Sequence, residues 1–153
     1  MGSSTMTPEQ FAQQFSTGAP EMITGYLIDV YNETASVITI PKTLDSYHSV
    51  LDCRCIDIVD RQIGARCMSN LNPRRFDIIC DDEALNRNPA KISAIDNMGT
   101  PMLCGNLLIV KNDGVGGETS IDEQDIKYLL RFIIRQGTHR FPRPYFMLHQ
   151  CEW

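Results

Sequence analysis

Apolar and polar residues near the start of the chain alternate with the two-residue period of a β-strand. Residues 23–30 place apolar side chains on both faces of such a strand, a turn is expected at residues 32–33, and residues 37–40 return as a second strand. Pro41 ends the return strand because proline has no N–H to give to a ladder. The pattern predicts an antiparallel pair.

Apolar runs further along predict three more strands, at residues 55–59, 76–80 and 107–110. A short helix is predicted between the second and third strands because apolar residues recur there at positions i, i+3, i+4 and i+7. That stripe consists of Leu44, Tyr47, His48 and Leu51. The stretch from 81 to 100 has no such period and predicts irregular structure.

A second helix is predicted after the last of these strands. Ser120 and Glu123 have the spacing of a capping box, in which each side chain bonds the other residue's backbone N–H. An apolar stripe follows and ends near Gly137, a typical residue after a helix end. The stripe consists of Ile126, Leu129, Leu130 and Ile133.

These elements predict an α+β fold, with a small mixed or antiparallel sheet of about 4–5 strands and two main helices. Residues 22–137 form the predicted core domain. Residues 1–21 are polar and predicted to be a flexible N-terminal segment, part of which resembles an expression tag. Residues 138–153 carry four aromatic residues and are predicted to pack on the core or on a neighbouring subunit.

Composition excludes several classes of protein. No apolar run approaches the about 18 residues of a membrane span, and no secretion signal is recognisable, so we expect a cytoplasmic protein without membrane association. The six cysteines lack zinc-site spacing and are interpreted as reduced, buried structural thiols. A net charge of −5 argues against nucleic-acid binding, which needs a basic face.

Motifs for catalysis are weak. The three acids at residues 81–83 follow a buried strand, but adjacent side chains point in different directions and cannot all converge on one ion. The loop at residues 112–117 lacks the glycine and lysine pattern of a phosphate cradle, and no nucleophile elbow occurs. The sequence therefore predicts no enzymatic activity, no cofactor and no metal site.

Arginines are the stronger candidates for ligand binding. Arg61, Arg66, Arg74 and Arg75 cluster around the third strand and the loop that follows it. Guanidinium groups recognise phosphates bidentately, so the cluster is consistent with a site for a phosphorylated small molecule. Ordinary solvent-exposed arginines in a loop are the alternative interpretation.

Five segments of the chain together indicate a family. They are residues 61–64, 76–85, 88–89, 93–96 and 105–109. In this order they resemble a small domain family of unknown function that is carried by phages and integrating elements of Gram-positive bacteria. The resemblance extends over about residues 22–135. The loop at residues 65–74 is longer than the family's connection, and the tail after Gly137 lies outside the family pattern.

The setting of this family implies a function by analogy. Small phage proteins often counter host defence, and one class binds nucleotide-derived immune signals without cleaving them, usually as homo-oligomers. The resemblance thus implies a non-enzymatic protein that sequesters a nucleotide-like small molecule. The residues expected to contact it are Arg61, Arg74, Arg75 and Asn106, with Tyr47 or Tyr145 stacking on a base.

Two other functions stay open. The chain could be a protein–protein inhibitor of a host factor that acts through its acidic surface or its aromatic tail. It could also be a metal-dependent phosphodiesterase that uses Asp81, Asp82 or Asp96.

Overall fold

The computed structural model describes residues 20–67 and 72–153. The predicted flexible segment at residues 1–21 lies almost wholly outside them. The elements in chain order are β1 (Met22–Asp29), β2 (Thr34–Pro41), α1 (Leu44–Leu51), β3 (Ile56–Ile63), β4 (Arg74–Asp81), a 3-10 turn (Ala84–Asn86), β5 (Ile92–Ile95), β6 (Pro101–Cys104), β7 (Leu107–Asn112), β8 (Glu118–Thr119), α2 (Glu123–Leu130), β9 (Ile133–Gln136), β10 (Tyr145–Leu148) and β11 (Cys151–Glu152).

The larger sheet has seven strands in the order β11–β3–β4–β7–β1–β2, with β8 paired to β7. Every pair in it is antiparallel. The α+β class with two helices agrees with the sequence prediction, but the prediction of about 4–5 strands was wrong. Strands β8 and β11 have two residues each, which is too short for a period of two to be visible in sequence.

A second sheet has four strands in the order β6–β5–β10–β9. Its β10–β5 pair is parallel and the other two pairs are antiparallel. Strand β5 lies in the stretch that was predicted to be irregular, and no element was predicted at β6. Their pairing is broken by register shifts, and three of the four residues of β5 are buried, so neither strand shows the alternation of a half-exposed strand.

Helix α2 begins and ends at other residues than predicted. Its capping box is formed by Asp122, which accepts from the backbone N–H of Asp125 at 2.9 Å, while Asp125 accepts in return from Asp122 at 2.8 Å. Ser120 lies outside the helix, where its Oγ accepts from the backbone N–H of Thr24 on β1. The helix ends at Leu130. Ile133, which was predicted to lie in the helix, is instead the first residue of β9 and pairs with Leu148 of β10.

The hydrophobic core has two parts, one on each face of the larger sheet. The larger cluster lies between this sheet, the second sheet and α2, and the smaller cluster lies beneath α1. Successive residues of β7 alternate between them: Leu107 and Ile109 pack into the larger cluster, Leu108 and Val110 into the smaller. Gly25 of β1 permits this packing, because a Cβ there would lie 2.7 Å from the Leu108 side chain.

Residues 138–153 are part of the fold within one chain. Strand β10 lies in the middle of the second sheet and β11 closes one edge of the first. Their residues Tyr145, Met147, Leu148 and Cys151 are at most 1% exposed. In the described part of the chain, no helix has the length and apolar character needed to cross a membrane.

A buried amide joins three elements beside β7. Asn106 Oδ1 accepts from the backbone N–H of Val30, which follows β1, at 2.9 Å. Its Nδ2 donates to the carbonyl of Leu51 at the end of α1 at 3.5 Å. The side chain is only 4% exposed, so water cannot replace these partners. Asn106 therefore holds β1, α1 and β7 in a fixed arrangement.

We predict that Asn106→Ala lowers the free energy of unfolding by about 1–3 kcal/mol, since it leaves a buried N–H and a buried carbonyl without partners. Chemical denaturation followed by circular dichroism measures this. The control is Asn97→Ala at an exposed loop position, which should change stability by less than about 0.5 kcal/mol. Equal effects of the two substitutions would contradict the role given to Asn106.

Candidate ligand-binding cleft

A cleft of about 360 Å³ opens between the larger sheet and the edge of the second sheet. Side chains of a strand alternate in direction, so Asp57, Val59 and Arg61 of β3 point to the same face. Cys80 of β4 is the register partner of Asp57 and joins them on that face. These four side chains form one wall of the cleft.

Strand β6 forms the opposite wall with Pro101, Met102, Leu103 and Cys104, and the turn at residues 81–85 closes one end. Strand β6 and the turn come together at Gly105, which follows β6 and has a φ of +78°. A Cβ at Gly105 would lie 2.9 Å from the Cβ of Ala84 in the 3-10 turn. A glycine is therefore required here both for the backbone conformation and for the close approach.

Arg61 is the positively charged side chain on the sheet side of the cleft. It is only 7% exposed. One guanidinium nitrogen, Nη1, donates to the carbonyl of Asp60 at 2.9 Å, and the group stacks on the Trp153 ring with its carbon 4.1 Å from the ring centre. Its Nε is shielded from solvent and has no hydrogen-bond partner within the described residues. Arginine stays charged when buried, and Arg61 forms no ion pair with any described carboxylate, so the wall carries a positive charge that no ion pair balances.

Carboxylates also line the cleft, in two different states. Asp57 and Asp82 are exposed and make no ion pair with any residue described. Asp81 has a side chain only 2% exposed and binds Arg87 Nε at 2.7 Å. Asp81 is thus part of the framework, while Asp57 and Asp82 are available to a ligand.

Thiols near the cleft are protonated. Burial raises the pKa of Cys80 and of Cys151 to about 12, although the nearby Arg61 charge opposes the shift in both. Burial likewise raises the pKa of Cys104. A thiol reacts as a thiolate, so none of these three is a nucleophile at neutral pH. All six cysteines are free; the prediction that all are buried was wrong, since Cys55 is exposed and three others are half-buried.

A larger groove of about 560 Å³ lies next to the cleft, beneath the end of α1. Its two arginines already have partners: Arg54 binds the Glu83 carboxylate with Nε and Nη2, and Arg87 binds Asp81. An incoming anion would have to displace a carboxylate from either. The smaller cleft is therefore the better candidate site, because its arginine forms no ion pair with any carboxylate in the described part of the chain.

Only Arg61 of the six predicted ligand-binding residues lines the cleft. Arg74 is on the same face of the sheet, but it binds the buried Asp125 carboxylate at 2.9 Å and stacks on Tyr128 of α2. Arg75 points to the opposite face and binds Asp60 at 3.0 Å. The three arginines were predicted to cluster, but they point to different faces of the sheet or bind different partners. They therefore do not form one site.

The other three predicted residues are buried. Asn106 makes the internal bonds described above. Tyr47 of α1 is 5% exposed in the smaller core cluster, and burial raises its pKa to about 12. Tyr145 is 0% exposed in the larger cluster, with Lys91 Nζ 5.0 Å from its ring centre. In a single chain neither ring faces the cleft.

Sequence reasoning missed most of the cleft. Asp57 and Val59 had the alternation that places them beside Arg61, so this wall was predictable in principle. Met102 and Leu103 lie outside every element predicted from the sequence, and the pairing of β6 with β5 places them opposite Arg61.

Asp81, Asp82 and Asp96 were candidate metal ligands for phosphodiester hydrolysis. Asp96 accepts from the backbone N–H groups of Met98 and Thr100 and so stabilises a tight turn. Within residues 20–67 and 72–153, no three His, Cys, Asp or Glu side chains are arranged to hold a metal ion.

A family model described as a domain of unknown function, DUF3846, matches residues 23–133. The chain belongs to the DUF3846 family. The match confirms the predicted resemblance to a family of unknown function. The DUF3846 region runs from β1 to the first residue of β9 and includes every residue that lines the cleft. Strands β10 and β11 and Trp153 follow it. Searches of curated proteins and of solved structures found no match.

The state of the thiols gives a prediction. In the native protein at about pH 8, iodoacetamide should modify the exposed Cys55 first and leave Cys80 and Cys151 unmodified, because burial keeps these two thiols protonated. Peptide mass spectrometry gives the order of modification. A sample unfolded in guanidinium is the control and should react at all six cysteines. Rapid modification of native Cys80 would contradict the assignment.

Proposed function

We propose that this domain is a non-enzymatic binding protein that sequesters a small nucleotide-derived molecule in the cleft beside Arg61. The observation that carries the proposal is a largely buried guanidinium, without an ion pair among the described residues, in the wall of a cleft of ligand size. A phosphate or carboxylate bound against this guanidinium would supply the missing counter-charge.

The other lining groups are consistent with a nucleotide. The carboxylates of Asp57 and Asp82 accept hydrogen bonds and so match sugar hydroxyls or an exocyclic amino group of a base. Met102 and Leu103 offer apolar surface on which the flat face of a base would lie. Together they would bind a molecule that has an anionic group, several donors and an apolar plane.

Sequestration rather than turnover follows from the state of the reactive groups. The thiols at the cleft are protonated, and the Asp81 carboxylate is occupied by Arg87. The remaining carboxylates, Asp57 and Asp82, are exposed, and none of the described residues forms an ion pair with them that would activate them as acid or base. A ligand held by these groups would be released unchanged.

The biological setting of the proposal rests on the family resemblance. In a phage or an integrating element, a cytoplasmic protein that retains a nucleotide-derived immune signal would prevent that signal from reaching its host effector. The absence of hydrolysis would not matter, provided that the protein is present in excess over the signal.

The proposal predicts that the protein retains one compound from a panel of cyclic dinucleotides and ADP-ribose derivatives. Protein and compound are mixed, free compound is filtered away, and the retained compound is released by heating and identified by chromatography. The bound compound should also raise the melting temperature, and the stabilisation should grow with the logarithm of the compound's concentration once this exceeds Kd. Release of the compound intact supports sequestration, release of an altered compound supports an enzyme, and retention of none overturns the proposal.

Arg61→Gln should weaken binding of that compound by roughly 10- to 100-fold, because a hydrogen bond from a charged group contributes about 1.5–3 kcal/mol. Arg135→Gln is the matched control, since Arg135 is exposed on β9 at the far edge of the second sheet and carries the same charge. If Arg61→Gln does not fold, Asp57→Asn and Asp82→Asn at exposed positions test the same cleft. If all three single variants, Arg61→Gln, Asp57→Asn and Asp82→Asn, bind the compound with unchanged affinity, the ligand binds outside this cleft.

A further inference from the structure

Strand β2 is a long and unprotected edge of the larger sheet. It has eight residues, Thr34–Pro41, and pairs with β1 on one side only within the described residues. No charged side chain occurs in it, and its single proline is at its last position. Edge strands normally carry charges, prolines or bulges that prevent pairing with another chain, and β2 carries none before Pro41.

The direction of the free backbone groups follows from the pairing with β1. Lys42 donates its backbone N–H to the carbonyl of Glu21, so Lys42 faces β1. The register between β1 and β2 is continuous, and alternate residues face alternate sides. The residues with N–H and C=O groups directed away from the sheet are therefore Ala35, Val37 and Thr39.

We propose that two copies of this chain pair through β2 in an antiparallel arrangement, with Val37 on the two-fold axis. A two-fold axis perpendicular to the sheet places residues of the same face opposite each other. Since alternate residues of β2 share a face, the two residues of each facing pair must both have odd numbers or both have even numbers. The register that uses every outward group pairs Val37 with Val37 and Ala35 with Thr39. A shift toward the C-terminal end would bring in Pro41, which has no N–H.

Side chains also fit this register. Val37 is 42% exposed in the single chain and would be covered by its symmetry mate. The neighbouring row would pair Ser36 with Ile38, which places a β-branched residue against a small one. Since β2 has no charged residue, no like charges meet across the axis.

The other sheet edges are poorer candidates. Strands β8 and β11 have two residues each, and β6 and β9 have four. Strand β3 pairs with β11 at its last two residues only, but the rest of that edge carries the charges of Asp57, Asp60 and Arg61. Among the described residues, only β2 offers an uncharged edge of eight residues, and its pairing would join the seven-stranded sheets of the two copies into one continuous sheet. The clefts lie at β3 and β6, on the other side of the sheet order from β2, so both stay open.

Sedimentation equilibrium of the full chain tests the proposal. The wild-type protein should have a mass of twice the 17.3 kDa of one chain and dissociate on dilution. Val37→Lys, which places two like charges on the axis, should shift the mass to that of one chain. Met98→Lys is the control, because Met98 is an 81% exposed loop residue between β5 and β6 of the second sheet, and this variant should stay dimeric.

A second variant and a second measurement keep the test decisive. Val37→Pro removes an outward N–H without removing a bond to β1 and should also give a folded monomer, as judged by circular dichroism. Amide exchange of Ala35, Val37 and Thr39 should be slow in the wild type and fast in a monomeric variant. A wild-type monomer overturns the proposal. This holds even if the amides of β2 exchange slowly in that monomer, because another segment of the same chain would then cover β2. A dimer that survives both Val37 substitutions overturns it too.

Discussion

The fold depends on the burial of strand β7 from both sides. Leu107 and Ile109 fill one core and Leu108 and Val110 fill the other, and all four side chains are fully buried. Full burial of an aliphatic side chain contributes about 1.5–3 kcal/mol, and here the contribution comes from a strand that lies between β4 and β1. The strand therefore couples the two cores: a change of volume on one face would move the backbone that supports the other.

Polar groups at the ends of the central strands complete the arrangement. Asn106 ties the start of β7 to the ends of β1 and α1, and Asp81 at the end of β4 binds Arg87. Asp81 has almost no exposed side-chain surface, so the loss of Arg87 would leave a buried charge without a partner. Both polar sites lie beside the turn at residues 81–86, which closes the cleft. The position of the cleft wall is thus determined by buried polar contacts.

Arg61 differs from the other arginines near it in how its charge is balanced. Arg74 and Arg75 each bind a carboxylate, at 2.9 and 3.0 Å, whereas Arg61 relies on one carbonyl and on the face of Trp153. An aromatic face stabilises a cation without using its hydrogen-bond donors. Strand β11, which lies outside the family match, brings Trp153 to Arg61 by pairing with β3. The segment that follows the family domain therefore supports the group that we assign to ligand binding.

The sequence by itself determined the elements with a clear apolar pattern, β1, β2, β4, β7 and α1, as well as the α+β class and the family. Burial of one face gives a repeating period and burial of both faces gives a continuous apolar run, so these patterns are visible without the fold. It also pointed to Arg61, but not to its neighbours in space. Tertiary structure decided the second sheet, the early end of α2 and the opposite wall of the cleft. Strands β5, β6 and β9 have four residues each, too few to establish a period, and partners distant in sequence stabilise them. Tyr47 and Tyr145 show the same limit, because only packing decides whether an aromatic ring faces a ligand or the core.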